Sequence, residues 1–356
     1  MRLFISLTIL ETGSKMFSRI RSVIKATMLE VVSEPLFFLL VLSALSVIMF
    51  SSFLHIHNFS DHSRMFVEIG NEQFKSIRMC NGETSRMARD IGLSSILIFG
   101  ILFTVFSSIR VFRREIESGT LQMALSRPIS REVFFISKVL GVLLATLIFF
   151  IIVFSFSLTT VVGSEIGKIH SDIVKAASDA CCAQETFLPE TIWFGSLAID
   201  VFVIVLPIVL AAILNRFARF RFITTSLFSM LIFSVVGCFL NIMLVNANFG
   251  GMISGLSEYL LRIIPTGVII LVPIMVFLSA AAAFSIKFKD NIAATLIGVV
   301  FLVSLPVLGN YYQTQALSRG ASLSWIYVLY AFLAALPFII AFLLMGIFLL
   351  RSKEVS

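Results

Sequence analysis

Charged side chains are scarce in this chain: Asp, Glu, Lys and Arg make up 13% of its 356 residues, about half of the roughly 25% found in soluble domains. The hydrophobic fraction is 58% and the mean hydropathy is +1.03. The missing charge excludes a soluble globular domain, and the apolar fraction excludes disorder, a coiled coil and a disulfide-stapled secreted module. Cysteine is rare, with four residues, and their spacing is not a zinc pattern. No polar stretch is long enough for a self-contained ATPase or redox domain. Neither H-E-x-x-H, nor G-x-S-x-G, nor a pair of catalytic carboxylates occurs. The nearest approach to a P-loop, beginning at Gly163 and reaching Gly167 and Lys168, lacks the required spacing and hydroxyl.

What fills the chain is apolar runs. Residues 35–54, 91–111, 139–162, 191–214, 222–245, 263–286, 292–308 and 323–350 each approach the roughly 20 residues that cross about 30 Å of hydrocarbon. Backbone amides in hydrocarbon must find internal partners, so these runs are expected to be helices. The fold class expected is an all-α polytopic bundle of about eight spans. Residues 292–308 are short and follow closely on 263–286, so the alternative is six spans plus a re-entrant hairpin. Pro207, Pro273 and Pro337 fall inside spans, where kinks are tolerated.

Lysine and arginine bias sets the expected orientation. With the N-terminus inside, 18 basic residues face the cytoplasm and nine face outward. Both termini are therefore expected in the cytoplasm. The net basicity reflects this topology and an anionic inner leaflet rather than nucleic acid. The first residues, with Arg2 before a short apolar run, lack an A-x-A-like cleavage site and read as an uncleaved tail, residues 1–13. A start at Met16 is the alternative. Residues 14–34 hold an amphipathic helix: Phe17, Ile20, Ile24, Met28 and Val31 recur at helical spacing, with Lys15, Arg19, Ser22 and Lys25 mostly elsewhere. Residues 35–356 form the membrane domain.

The most informative segment is the second inner loop, residues 112–138. A short helix is expected from about Glu115 to Leu125, with Ile116, Leu121 and Leu125 as apolar points, and Pro128 ending it. Ser130 then caps the next helix, with Glu132 in its first turn. A projecting helix bearing charges and apolar knobs is a docking device; a solvated loop that only enforces topology is the bland alternative.

Here the chain resembles a known family. E-x-E-S-G-T-L-x-x-x-L-S-R-P-I-S-R-x-x-F-x-x-x-K, spanning Glu115 to Lys138, is similar to the signature of ABC exporter permeases of the ABC-2 group. The helix at 14–34 resembles that family's elbow helix. Arg89-Asp90-Ile91-Gly92-Leu93 at the start of the second span, and the close of the last span at Leu350, Arg351, Ser352, Lys353 and Glu354, also resemble it. These permeases commonly have six spans; an extra hairpin within 191–308 would account for eight. The resemblance implies a transport subunit without catalytic residues, in the cytoplasmic (inner) membrane of a prokaryote. It implies pairing with a second permease copy, as homo- or heterodimer, and with two separate ATPase subunits that carry ATP and Mg. Residues implied in ATPase coupling are Arg114, Glu115, Glu117, Gly119, Thr120, Leu121, Leu125, Arg127, Pro128 and Arg131. The rival class is a polytopic membrane enzyme acting on lipid-linked substrates; a secondary transporter is disfavoured by the scarcity of intramembrane charge.

Three further features stand out along the chain. Asp200 lies mid-span, which marks either a translocation path or ion site, or a structural hydrogen bond or salt bridge. His55, His57, Asp61 and His62 cluster where the first span ends; an interfacial loop is favoured over a metal site, and no metal is expected. Cys80, Cys181 and Cys182 share the outer face, where a disulfide from Cys80 to one of the other two would tie two loops together. Cys238 reads as a small buried apolar residue.

Overall fold

The absence of water in hydrocarbon forces the apolar runs to satisfy their own amides, and helices result. The computed structural model describes residue 18 and residues 20–52, 55–58, 65–69, 72–77, 83–117, 131–179, 188–219, 221–249, 254–287 and 325–352. Helix α1 is Ile20–Val32. In chain order there follow α2 (Pro35–Ser52), β1 (His55–Asn58), β2 (Met65–Ile69), β3 (Glu72–Ile77), α3 (Glu83–Glu117), α4 (Arg131–Asp179), α5 (Leu188–Ala218), α6 (Phe222–Phe249), α7 (Ser254–Lys287) and α8 (Trp325–Ser352). Six of these, α3 to α8, are long and apolar enough to cross a membrane. Helices α1 and α2 pass that test only together, across a 62° bend. The protein is a polytopic helical membrane protein. Seven of the eight expected spans lie on helices, and residues 292–308 lie outside the described residues.

The bend has a local cause. Proline at position 35 disfavours helix at Glu34. The ladder closes tidily before it: Ser33 N–H donates to Leu29 O at 3.0 Å and Glu34 N–H to Val31 O at 3.2 Å. Ser33 Oγ donates to Glu30 O at 2.8 Å. Buried hydroxyls deeper in the spans use the same device, as Thr104, Thr146 and Thr159 donate to carbonyls three or four residues earlier. Prolines sit inside α5 (Pro207), α7 (Pro265 and Pro273) and α8 (Pro337).

One local expectation is corrected: the segment after the first span, where the cluster from His55 to His62 is expected to be an interfacial loop. It forms a three-stranded antiparallel sheet, β1-β2-β3. Ile69 pairs with Glu72 across Gly70 and Asn71, a two-residue spacing suited to a hairpin. Helix α4 runs 49 residues to Asp179, while its apolar span ends at Val162, where the sequence places it. No proline interrupts it.

Contacts divide the chain into two units. The first comprises Met1–Phe37, Gly100–Ile148 and Pro265–Ser356. Its best-buried span is α7, where Ala281, Ala282 and Ala283 are fully buried; small residues let helices approach closely in a membrane. Phe37 meets Phe103 at 4.6 Å between ring centroids, and Phe284 meets Phe342 at 6.1 Å. The second unit comprises Phe38–Phe99 and Phe149–Ile264. In it α5 and α6 pack along each other. A Cβ on Gly237 of α6 would lie 2.3 Å from Val203 Cγ2 of α5, so only glycine permits that approach. The two helices are joined by a short corner in which Arg219 takes a left-handed φ of 55°. Large apolar side chains point outward along α5, including Phe202, Val205, Val209 and Ile213. Such a stripe is a liability in water and matched to lipid in a membrane.

Candidate functional site

The sequence concentrates its charge and its motif in residues 110–138, so the elements that hold the two ends of that segment define the site. Helix α3 carries Arg110 and Arg114 into its last turns and ends at Glu117. Cations there complement the negative end of the helix dipole. Both reach the α1–α2 corner. Arg110 Nε lies 2.9 Å from Glu34 Oε1, and Arg114 Nη1 donates to Glu30 Oε1 at 3.0 Å. Arg110 and Arg114, four apart, share a face of α3, while Glu30 lies on α1 and Glu34 just past its end, at the bend. The result is a ladder of two rungs between the elbow and the end of α3. The rungs differ in surroundings: the Glu34 side chain is 10% exposed and that of Glu30 31%. Burial pushes the Glu34 carboxyl above its ordinary value, while Arg110 pulls it the other way.

Beyond the segment, α4 begins at Arg131 with Glu132 in its first turn. Glu132 pairs with Arg351 in the last turn of α8. An acid at a helix N-terminus and a base at a helix C-terminus each favour their own dipole, and here they also meet each other. Phe135, 1% exposed, ties the neighbouring ends together. Its ring centroid is 5.2 Å from that of Phe112 on α3, and a Cβ added to Gly346 of α8 would be 2.5 Å from its Cζ. Further along α4, Gly141 receives the elbow: a Cβ there would lie 2.6 Å from Thr27 Cβ and 3.1 Å from Ile24 O. Helices α1, α3, α4 and α8 are thus fastened to one another around both ends of residues 118–130. All of these contacts lie within the first unit.

Of the residues implied in coupling, Arg114 is held in the ladder, and Arg131 opens α4. Glu115 and Glu117 belong to the end of α3, which corrects the expected separate helix from Glu115: nothing in the sequence before Gly119 stops α3, so it runs on through them. Gly119, Thr120, Leu121, Leu125, Arg127 and Pro128 lie outside the described residues, as does Ser130. Glu30, Glu34, Arg110, Glu132 and Arg351 were not singled out as site residues from the sequence. For Glu30, Glu34 and Arg110 the signal was the four-residue spacing of the acids and of the arginines; Glu132 and Arg351 offered only their places in a first and a last helical turn.

In the second unit Asp200 lies on α5 and is 1% exposed. Asn241 of α6, not singled out from the sequence, is also fully buried. Its Nδ2 donates to Thr159 O on α4 and to Ser196 Oγ on α5, each at 2.8 Å. An asparagine within an apolar run was the available signal. His55 and His57 lie on β1, opposite Glu68 and Phe66, whereas Asp61 and His62 lie outside the described residues. Among the described residues no group of three His, Cys, Asp or Glu could hold a metal. Cys80, Cys181 and Cys182 lie outside the described residues; Cys238 is a free, partly buried thiol on α6. Comparison with family models, curated proteins and solved structures finds no match.

Proposed function

We propose that this chain is the transmembrane subunit of an ATP-driven exporter of the ABC-2 type, in the cytoplasmic membrane of a prokaryote with both termini inside. In this reading it pairs with a second permease copy and with two separate ATPase subunits, on which ATP and Mg are bound. The observation that carries the reading is the fastening of four helix ends around a segment that bears the exporter-like motif. A loop that merely enforces topology has no use for such a frame. A loop that receives a push from a partner needs one, because displacement must pass into helices rather than be absorbed by slack side chains.

The mechanism follows from the ties. Closure of the ATPases on ATP moves the docked segment. Its N-terminal end moves α3, and the two rungs carry that motion into the elbow. Its C-terminal end moves α4, and the Glu132–Arg351 pair and Phe135 carry the motion into α8. The spans then rock between inward- and outward-facing arrangements, and the substrate leaves the membrane domain.

The test is Leu121→Asp. In a docked contact the change buries an unpaired charge, at a cost of several kcal/mol, while it leaves every span untouched. The ATPase should fail to co-purify, or hydrolysis should proceed without transport in liposomes. Normal assembly with coupled transport would refute docking through this segment.

A further inference from the structure

We propose that the corner between α5 and α6 is a recognition site for the phosphate of an anionic phospholipid headgroup. Arg216, Arg219 and Arg221 stand within six residues there, and no other charged residue occurs between Asp200 and Glu258. All three are exposed. Among the described residues none of the three side chains forms an ion pair or a hydrogen bond, and the first turn of α6 holds no acid. Three like charges on so short a stretch repel one another, so they draw a counter-charge from outside the chain. Apolar spans close on both sides, Gly195–Ala218 and Phe222–Leu244. The corner therefore lies at a membrane surface, where headgroup phosphates are the nearest anions.

Two features separate such a site from charges that only fix topology. The first is the backbone. Arg219, at φ 55°, is the sole non-glycine residue of positive φ among the described residues. Glycine adopts this conformation without penalty, and arginine does not; strain retained in this way points to a use. The corner is also held on its α6 side. Arg221 O accepts from Thr225 N–H at 3.0 Å and from Thr225 Oγ1 at 2.9 Å, and the Phe222 ring meets Phe38 of α2 at 6.0 Å. The second feature is Phe217, 83% exposed, the most exposed large apolar side chain among the described residues. An inorganic anion would answer the arginines and leave this ring uncovered. A phospholipid answers both, with its phosphate on the guanidinium groups and its acyl chains against the ring. Guanidinium planes take phosphate oxygens two at a time, as an ammonium cannot, so the site distinguishes arginine from lysine.

This inference is independent of the permease reading and is tested without ATP or a partner. The purified full-length chain in detergent is unfolded thermally with phosphatidylglycerol, with phosphatidylcholine or with inorganic phosphate, at equal ionic strength. Binding to the folded state raises the midpoint, and phosphatidylglycerol should add about 2–4 °C over phosphatidylcholine. Inorganic phosphate alone should add little. Arg216→Lys, Arg219→Lys and Arg221→Lys together keep the charge and the topology signal, yet should remove most of the difference between the lipids. The corresponding triple change to glutamine should remove all of it; if that variant does not insert, the lysine variant still decides. Equal midpoints for the parent in the two lipids would overturn the proposal, as would a gain from inorganic phosphate as large as that from phosphatidylglycerol. An undiminished difference in the lysine variant would also overturn it and leave the corner as a topology signal only.

Discussion

The two rungs of the elbow ladder have nearly equal lengths, 2.9 and 3.0 Å, yet they should differ in energy because their surroundings differ. Arg110→Ala strands the Glu34 carboxylate, which is 10% exposed and whose charge burial already opposes. Breaking a fully buried pair costs about 3–5 kcal/mol. The Arg110 side chain is 54% exposed, so water takes up much of its role, and about 1–2 kcal/mol is expected. Arg114→Ala releases Glu30 from a pair whose side chains are 67% and 31% exposed; such surface pairs contribute about 0.2–1 kcal/mol. Thermal unfolding of the purified protein at low and high salt measures both. High salt should erase the Arg114 effect and leave most of the Arg110 effect, because exposed pairs are screened and buried ones are not. The combination Arg110→Ala with Glu34→Gln should recover most of the loss, since no buried charge then remains. Equal losses for the two arginines, or no recovery in the combination, would refute burial as the distinguishing cause.

Glu34 also sets a pH dependence. Its folded carboxyl binds a proton more tightly than the unfolded one, so its contribution to stability is fully present below the ordinary value of 4.5 and is lost as pH rises through the raised value. Glu34→Gln should flatten the unfolding midpoint over that interval and gain on the parent at pH 8, as read by thermal scans at both ends. Gly141→Val places branched atoms where a Cβ alone would come within 2.6 Å of Thr27, and overpacking of this kind costs about 1–3 kcal/mol. Thr27→Ala in the same chain should relieve little, because Cβ at 2.6 Å stays and only Cγ2 at 2.9 Å goes, whereas Thr27→Gly should relieve more; unfolding midpoints of the single and the two double variants decide. Arg219→Gly frees a left-handed residue from its Cβ penalty and should stabilise by about 1 kcal/mol, visible as a raised midpoint.

Which parts of this structure could be read beforehand follows from what hydropathy encodes. Helices were legible because an unbroken apolar run has no alternative in hydrocarbon. Their facing was not. On α2, Val41, Ala44, Leu45 and Ile48 are fully buried while Leu39 and Phe50 are more than half exposed, yet all are apolar, because lipid and protein interior solvate them alike. The ladder was half legible: Glu30 and Glu34, or Arg110 and Arg114, announce a common face, but their pairing spans some 80 residues and no local rule supplies it. The strands were masked for a different reason. The alternation in Met65–Ile69 and the Gly70-Asn71 spacing are short signals beside eight long apolar runs. Asp200 drew attention through its charge, whereas Asn241 is neutral and had to be found through its contacts.

The contact between Gly141 and Thr27 also puts the elbow on a clock. Thr27 leaves the ribosome about 110 residues before the glycine that receives it. At roughly 5–20 residues per second, that delay is on the order of 10 s. Throughout it the elbow has no α4 to dock against, and its amphipathic stripe must rest at the headgroup boundary. The elbow therefore takes its final place only when α4 has been made, and anything that slows insertion of α4 prolongs the time this helix spends as a surface-bound peptide.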